Sequence, residues 1–360
     1  MLLVINFHLF VIIIYVFLAL LFLLLISILC FTIYKKRIEF NKKLWQQNLA
    51  GVINQAILFV EEEEEEEARI DLTYKIKTLL QNSGFRDYVI NELIQIKKSL
   101  SGSSTSNLKK LYESLNLDRD SFGKVTELRW HVKAKGLQEL GEMEQSKYLK
   151  EIFWLTNDEN ELVRNEAQCA MVSFSGFLGL SFLNVTEYPM SEWQQVQLLN
   201  RLNDIKPENS NVIKKWLQSS NESVVVFSLK LAAFYNCNNV YNDVITCLHS
   251  SSLRVKITAL EYLKQRPQDD TPEQIIKQDH FESKVYNLAV IDVLKDIGSE
   301  KQMYYLQKKL HDKDNDIKAA AAKTISCLHP LGNSYLQSHL LAKENPWKSI
   351  FLQITNERVA

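Results

Sequence analysis

The chain has 360 residues and carries 42 lysines and arginines against 43 aspartates and glutamates, a net charge of −1 that argues against a nucleic-acid-binding protein. Its 10 glycines and 6 prolines are few, which indicates a mostly helical chain. The cysteines are scattered, which argues against a disulfide framework or a zinc site and favours buried thiols in a reducing compartment: Cys30, Cys169, Cys237, Cys247 and Cys327.

The N-terminal segment is strongly apolar. Residues 1–34 contain no Asp, Glu, Lys or Arg, and residues 9–31 are almost wholly Leu, Ile, Val and Phe. About 20 apolar residues cross a hydrocarbon core of about 30 Å, so we predict a transmembrane anchor in residues 1–35 that contacts the membrane through residues 9–31. A cleaved signal peptide is the alternative, but it requires a basic start, a shorter apolar core and a small-residue cleavage site.

Basic residues follow this segment and predict its orientation. Lys35, Lys36, Arg37, Lys42 and Lys43 lie on its C-terminal side, against a single nearby acidic residue. Basic residues next to a membrane span tend to stay in the cytoplasm. We therefore expect a single-pass protein of the cytoplasmic (inner) membrane, with its N-terminus outside and the rest of the chain in the cytosol.

Residues 36–69 are predicted to form a juxtamembrane helix, because apolar residues recur there at helical spacing. The segment ends in seven consecutive glutamates, of which Glu61 is the first and Glu67 the last. This run favours a solvated helix end or linker over a site for a divalent cation or a basic partner. The apolar positions are Trp45, Leu49, Val52, Ile53, Ala56 and Ile57.

Residues 70–118 are predicted to contain two or three further helices. The polar stretch 101–106 contains no apolar residue, and its serines and glycine are typical of a flexible connection. It is the best candidate for a boundary before the rest of the chain. The apolar positions that predict the helices are Leu72, Ile76, Leu79, Leu80, Val89, Ile90, Leu93, Ile96, Leu108, Leu111 and Leu115.

Residues 119–360 contain an internal repeat. A β-branched residue, usually followed by a basic one, has a small or apolar residue at the fifth position and another apolar residue four positions later. These positions form one stripe along a helix. The copies start at intervals of 31, 62, 30, 30 and 32 residues, so the long interval is twice the usual one. The starts are Val132, Val163, Val225, Val255, Val285 and Ile317.

Each repeat is predicted to be a helical hairpin of about 30 residues. Polar turn residues precede the stripe and can cap its helix, and in four copies a leucine lies seven or eight residues before the start. One hairpin cannot bury its apolar face alone, so consecutive hairpins are expected to stack. The leucines are Leu155, Leu217, Leu248 and Leu310.

The segments 155–171 and 310–325 resemble HEAT repeats. The apolar end of the first helix, the Asp/Asn turn and a Val-Arg or Ile-Lys start followed by alanine carry this resemblance, which extends over residues 119–360. It implies a right-handed α-solenoid of HEAT-like hairpins, so that with the predicted N-terminal transmembrane helix the expected fold is all-α. The basic position is kept at Lys133, Arg164, Lys256 and Lys318 and is lost at Val226 and Tyr286, which argues against a continuous basic ladder.

Residues 174–193 interrupt the repeat with an aromatic, glycine-containing run. The 62-residue interval predicts a degenerate repeat here, with residues 193–202 as its second helix. We interpret the run as a special packing joint, with a partner-binding groove as the alternative. The end of the chain, around Pro346, Trp347 and Phe351, is predicted to form a capping repeat.

No catalytic motif is present in the sequence. The histidines form no HxxxH or HExxH pair, and no GxGxxG, GxxxxGK[ST] or GxSxG occurs. We therefore name no catalytic, cofactor-binding or metal-binding residue, no cofactor, and expect no enzymatic activity.

The whole chain resembles bacterial membrane-anchored HEAT-repeat proteins. That resemblance implies a scaffold or adaptor that holds a protein partner at the membrane. The partner is unidentified, and membrane-associated enzymes such as glycosyltransferases are candidates. The alternative is a HEAT-like accessory enzyme of the bilin lyase type, which handles tetrapyrrole chromophores. No particular residue in the sequence supports this alternative.

Overall fold

The computed structural model describes residues 2–58, 73–100, 102–203, 205, 211–278, 283–328 and 336. Every regular element in these ranges is helical, which confirms the all-α prediction. The glutamate run at 61–67 and the predicted capping repeat around Trp347 lie outside the described residues.

Short and long helices alternate along most of the chain, with four short 3-10 segments between them. The α-helices are α1 (Leu2–Leu58), α2 (Tyr74–Leu79), α3 (Ser83–Ser99), α4 (Ser103–Ser114), α5 (Leu117–Val125), α6 (Trp130–Glu142), α7 (Leu149–Leu155), α8 (Glu161–Ser175), α9 (Glu192–Arg201), α10 (Asn211–Leu217), α11 (Glu222–Phe234), α12 (Tyr241–Cys247), α13 (Leu253–Gln265), α14 (Thr271–Lys277), α15 (Lys284–Ile297), α16 (Met303–Lys309) and α17 (Asn315–Leu328). The 3-10 segments are Ser146–Tyr148, Gly176–Asn184, Asn238–Val240 and Glu300–Gln302.

The chain divides into two compact units, Met1–Gln145 and Ser146–Ala360, here called unit 1 and unit 2. The four segments predicted from the sequence are a finer division, and their boundaries stay predictions. The first copy of the sequence repeat, which starts at Val132, lies on α6 and so belongs to unit 1.

Helix α1 is one unbroken helix of 57 residues, so the described part of the predicted anchor and residues 36–58 of the predicted juxtamembrane helix belong to the same element. Its last turns pack against α3 and α4. Leu49, Val52, Ile53 and Ala56 are buried there, and Trp45 lies 5.7 Å, centroid to centroid, from the ring of Phe85. The apolar positions predicted from helical spacing therefore form part of the unit 1 core.

The predicted flexible connection at 101–106 is mostly helical, which corrects the sequence interpretation. Helix α3 ends at Ser99 and helix α4 begins at Ser103, so residues 103–106 are helical. Gly102 takes φ +76°, which glycine adopts without steric cost, and the Thr105 hydroxyl donates to the Gly102 carbonyl at 2.7 Å. Polar composition alone does not distinguish a loop from a helix start, because serine and threonine favour both.

The described residues of unit 2 form successive helix pairs. A shorter first helix packs against a longer second helix in the pairs α7–α8, α10–α11, α12–α13, α14–α15 and α16–α17. The second helices also pack side by side, α11 on α13, α13 on α15 and α15 on α17. Between α8 and α10, the 3-10 segment Gly176–Asn184 and α9 take the place of one pair, in agreement with the degenerate repeat predicted from the 62-residue interval.

The N-capping positions, which directly precede the second helix of each repeat, reveal the register of the repeat. They follow one another at intervals of 31, 31, 30, 31, 31 and 31 residues. This spacing is more regular than the one that the sequence pattern indicated. Five of them accept a hydrogen bond from the first helical turn through their side chains, as capping residues do: Asn160, Ser191, Asn221, Ser252 and Asp314. Arg129 and Ser283 occupy the same position in α6 and α15 without such a bond.

This register corrects two of the predicted repeat starts by one residue. Three residues after each capping position, the equivalent residues are Val224 in α11 and Tyr286 in α15, rather than Val225 and Val285. Val285 is 54% exposed whereas Tyr286 is fully buried. A shift of one residue turns a helical side chain by about 100°, so Val285 cannot belong to the buried stripe.

Candidate anchor and interaction surfaces

The first half of α1 exposes its apolar side chains. From Phe10 to Tyr34 the large apolar residues other than Val11 are 42–69% exposed, and the most apolar 18-residue window of this helix has no buried residue. By length and composition α1 can cross a membrane. A second segment, Glu161–Asn184, passes the same test of composition, but 61% of its window is buried, as expected of core helices.

A polar network lies in the interior of unit 1 between α4, α5 and α6. Glu139 is 2% exposed; its carboxylate accepts a hydrogen bond from the Ser121 hydroxyl at 2.6 Å and pairs with Lys124 at 2.8 Å. Ser121 in turn accepts from the Tyr112 hydroxyl at 2.7 Å. Burial lowers the pKa of Lys124, but hydrogen bonds to Asp87 and Glu139 outweigh that effect and leave the pKa raised. The network is satisfied and buried, so it stabilises the unit rather than presenting a reactive group.

A second charged cluster closes the end of unit 1. Glu144, in the left-handed region at φ 52°, accepts from Lys97 at 2.7 Å and from Lys109. Burial raises the pKa of Glu144, but the hydrogen bonds from Lys109 and Lys97 outweigh it and hold the pKa below its usual value. Lys97 also donates to the Glu142 carbonyl at 2.7 Å, so the cluster ties α3 and α4 to the turn after α6.

The irregular run at 174–193 packs into its neighbours, as the packing-joint interpretation expects. A Cβ at Gly179 would overlap the Met171 carbonyl oxygen, so only glycine lets the 3-10 segment lie against α8. The Phe177 ring is buried, 5.6 Å from the ring of Tyr235 and 6.0 Å from that of Trp216. The alternative of a partner-binding groove gains no support from these contacts.

Asn221 fastens the end of this run to α11. Its amide nitrogen donates to the carbonyls of Thr186 and Tyr188, both at 3.1 Å, while its amide oxygen caps α11. The Ser223 hydroxyl accepts from the backbone N–H of Met190 at 2.9 Å. These bonds satisfy backbone N–H and C=O groups of an irregular segment, which lack the hydrogen-bond partners that a regular helix would provide.

The basic position of the repeat is mostly structural. The Arg164 side chain is buried, donates to the Asp158 carbonyl at 2.6 Å and stacks 4.5 Å from the Tyr188 ring centre. Lys256 is buried with its amine 5.4 Å from the Tyr286 ring centre. Each cation therefore contacts a tyrosine of the following repeat, and such contacts contribute about 0.5–2 kcal/mol. In the corrected register the basic residue is replaced by Val225 and Asn287.

One groove in unit 2 is lined largely by hydroxyl-bearing side chains. It has a volume of about 490 Å³ and lies between the turns at 217–222 and 247–255. Its serines have structural tasks: Ser219 and Ser250 accept from backbone N–H groups in their turns, and Ser252 caps α13. Burial raises the pKa of the Cys247 thiol at its floor to about 11, so this thiol stays protonated and unreactive at neutral pH.

Exposed apolar residues mark the N-terminal edge of α8 and α9. Leu162 and Trp193 are 52% and 68% exposed, and each lies two residues after its capping residue in neighbouring helices that pack together. Trp154, at the end of α7, is 79% exposed. We call this region the acidic edge, because exposed glutamates lie at or before the starts of α8, α9 and α11: Glu159, Glu161, Glu187, Glu192 and Glu222. One of them, Glu192, pairs with Arg254 at 3.0 Å.

The sequence analysis did not single out the acidic edge. Trp193 was interpreted as part of the packing joint, with a partner-binding groove as the alternative, and Leu162 was not considered. Counting from the capping residues rather than from the β-branched residues places both at the same repeat position, and this signal was available in the sequence.

In the ranges that the structure describes, no group of three or more His, Cys, Asp or Glu side chains could hold a metal ion. Cys169, Cys237 and Cys247 are buried, and Cys30 and Cys327 are exposed. The expectation that the protein has no enzymatic activity stays a prediction.

Comparison with known proteins leaves the family open. No protein-family model and no curated protein matches the chain. Among solved structures, an engineered protein is 12% identical with a TM-score of 0.26 and covers 71% of this chain and 97% of its own. The complex of CpcE and CpcF of phycocyanin lyase from Nostoc sp. PCC7120 is 13% identical with a TM-score of 0.24, covering 83% and 98%. At these TM-scores neither similarity carries an argument about function, and the bilin lyase alternative stays a prediction.

Proposed function

We propose that the protein is a membrane-tethered scaffold that holds a protein partner at the membrane. The observation that supports this function is that the two ends of the continuous helix α1 have different surroundings. Its first part exposes an apolar surface long enough to cross a bilayer, and its last turns are built into the core of unit 1. The tether and the folded unit are therefore one continuous element.

The same helix sets a distance from the membrane. About 15 residues separate Tyr34, at the end of the apolar stretch, from Leu49, the first fully buried residue of unit 1, which at 1.5 Å per residue is about 22 Å. A helix of that length acts as a stiff spacer, whereas a flexible linker would leave the distance variable. In this proposal the N-terminus is outside and the units are in the cytosol, because the basic residues follow the span.

The helix pairs of unit 2 are proposed to stack as a right-handed HEAT-like solenoid. The near-constant interval between capping residues and the side-by-side packing of α11, α13, α15 and α17 support such a stack. In an array of this kind each repeat contacts its neighbours, and the extended surface binds other proteins.

The acidic edge is the surface that we propose for the partner. Leu162 and Trp193 occupy equivalent positions on helices that pack side by side, and such helices lie about 8–10 Å apart. Tryptophan is enriched among the few residues that dominate the energetics of binding surfaces. The surrounding glutamates favour a partner segment that carries basic residues beside an aliphatic or aromatic side chain.

The test compares partner capture by matched variants of the full chain, purified from detergent-solubilised membranes. Leu162→Ala with Trp193→Ala removes the apolar pair, and Val285→Ala with Tyr304→Ala removes exposed apolar surface elsewhere, Val285 at the same repeat position. We expect the first variant to lose at least about tenfold of the affinity for a partner with a basic segment, and the control to keep it. Equal capture by both variants, or no partner reproducibly bound by the unmodified chain, would contradict the proposal.

A further inference from the structure

The part of α1 that follows the apolar stretch carries a cluster of basic side chains. Lys35, Lys36, Arg37, Lys42 and Lys43 are all exposed, and we call them the basic collar. Within the described ranges none of them forms a hydrogen bond or an ion pair. Glu39 is the one acidic residue between Lys35 and Lys43. Five cations that have no partner among the described residues therefore lie at the end of the apolar segment.

The collar side chains point to several sides of the helix. Successive residues turn by about 100°, so from Lys35 the five directions lie at about 0°, 100°, 200°, 340° and 80°, which spans about 220° of the circumference. A protein partner lying along one side of α1 would contact only some of these cations. Lipid headgroups surround a membrane-spanning helix on every side and can contact all of them.

The position of the collar along α1 also fits a headgroup layer. From Lys35 to Lys43 the helix rises about 12 Å. The polar layer of one leaflet is about 5–8 Å thick, and lysine and arginine stems extend along the helix to bring their charges to the membrane surface. Tyr34, immediately before the collar, is 64% exposed, and tyrosine favours this boundary between hydrocarbon and headgroups.

We propose that the basic collar binds the headgroups of anionic phospholipids and makes the lipids around α1 richer in negative charge than the surrounding membrane. A headgroup with net negative charge gains Coulomb energy from a nearby ammonium or guanidinium, whereas a zwitterionic headgroup, whose phosphate is balanced by its own cation, gains little. This inference rests on the proposed membrane anchor and adds the class of lipid that the anchor selects.

The experiment uses the full-length protein reconstituted into phosphatidylcholine vesicles that contain trace spin-labelled phosphatidylglycerol or spin-labelled phosphatidylcholine. Electron paramagnetic resonance measures the fraction of each lipid slowed by contact with the protein. We expect phosphatidylglycerol to associate about fivefold more strongly, the factor that corresponds to one basic contact of about 1 kcal/mol. The ratio of the two association constants, phosphatidylglycerol over phosphatidylcholine, should fall towards one in about 1 M salt, where the Debye length is about 3 Å.

Two variants locate the source of the preference. Replacing all five collar residues by glutamine should abolish it. A control with Lys75, Lys77, Lys150, Lys301 and Lys313 changed to glutamine removes five exposed charges elsewhere and should keep it. Circular dichroism checks that both variants are folded.

The outcomes separate the collar from the anchor on which it rests. If neither spin-labelled lipid is slowed by the unmodified protein, α1 is not embedded and the anchor itself is wrong. If both lipids are slowed equally, or if the collar variant keeps its preference for phosphatidylglycerol, the anchor stands and the proposed headgroup binding is overturned.

Discussion

At the scale of single residues, the buried carboxylate of Glu139 links helices α5 and α6 of unit 1. Glu139 is almost wholly inside the unit, yet Ser121, Lys124 and Lys135 surround its carboxylate. Removing one partner of a buried ion pair leaves the other charge buried without a counter-charge. The resulting loss of folding free energy is larger than the stabilisation that the intact pair contributes. The sequence presents Glu139 as one acid among many on amphipathic helices, and only the fold brings Ser121 and Lys124 to it.

Glu144 predicts how stability depends on pH. Its pKa is lowered in the folded protein by Lys109 and Lys97 despite burial, so its contribution to stability is present above the usual value of 4.5 and is lost as the pH falls below it. We expect Glu144→Gln to lower the thermal unfolding midpoint at pH 7 by more than at pH 3.5. Circular dichroism of the full chain in detergent micelles measures both midpoints.

The control for this prediction is Glu151→Gln, which removes an exposed carboxylate without a described ion pair. Its midpoint should follow that of the unmodified protein across the pH range. A constant difference between Glu144→Gln and the unmodified protein at both pH values would show that the two lysines do not act through the Glu144 charge.

At the scale of elements, close approach between helices depends on single glycines. Helices α5 and α6 pack tightly where Gly136 faces α5, and a Cβ at Gly136 would lie 2.5 Å from the Ser121 carbonyl oxygen and 2.9 Å from the Val125 nitrogen. Both atoms belong to the backbone, so the helices would have to move apart. Gly123, on α5 itself, has open space around its Cβ direction.

These two glycines give a matched prediction for alanine substitution. We expect Gly136→Ala to destabilise the protein by about 1–3 kcal/mol through overpacking. Gly123→Ala should be neutral or stabilise it by up to about 1 kcal/mol, because alanine favours the helix interior. Thermal unfolding of the full-length variants measures both changes. Shifts of the same sign and size would mean that α5 and α6 do not approach this closely.

Much of the element structure was predictable because its causes are local. The repeat interval and the helix preceding each polar turn follow from periodicity and capping residues within a few turns. The exact register was not predictable from the apolar pattern, since α11 buries both Val224 and Val225 and α15 places Val285 beside Tyr286. Sequence reasoning also expected a loop at 101–106, where serine and threonine serve equally well at a helix start.

At the scale of the whole molecule, the proposed orientation places every residue after the span on the cytosolic side. Cys327 is exposed on α17, whereas Cys169, Cys237 and Cys247 are buried and Cys30 lies within the apolar stretch of α1. A membrane-impermeant maleimide should therefore label Cys327 alone, and only when the reagent has access to the cytosolic side of the membrane.

We expect intact spheroplasts of a bacterial host expressing the full chain to show no labelling, and spheroplasts opened with detergent to show labelling that Cys327→Ser removes. Mass spectrometry of the labelled protein identifies the modified residue. Labelling of Cys327 in intact spheroplasts would place unit 2 outside the cell and reverse the orientation predicted from the basic residues.

The sequence alone determined the helical class, the apolar stretch at 9–31 and a repeat of about 30 residues, because each arises from neighbours along one helix. Only the tertiary structure decided that α1 ends inside the unit 1 core, that Arg164 and Lys256 are buried against tyrosines, and that Leu162 and Trp193 are exposed on two helices that pack together. These features depend on which faces of separate helices meet, and a rotation of about 100° per residue leaves several faces compatible with the same apolar pattern.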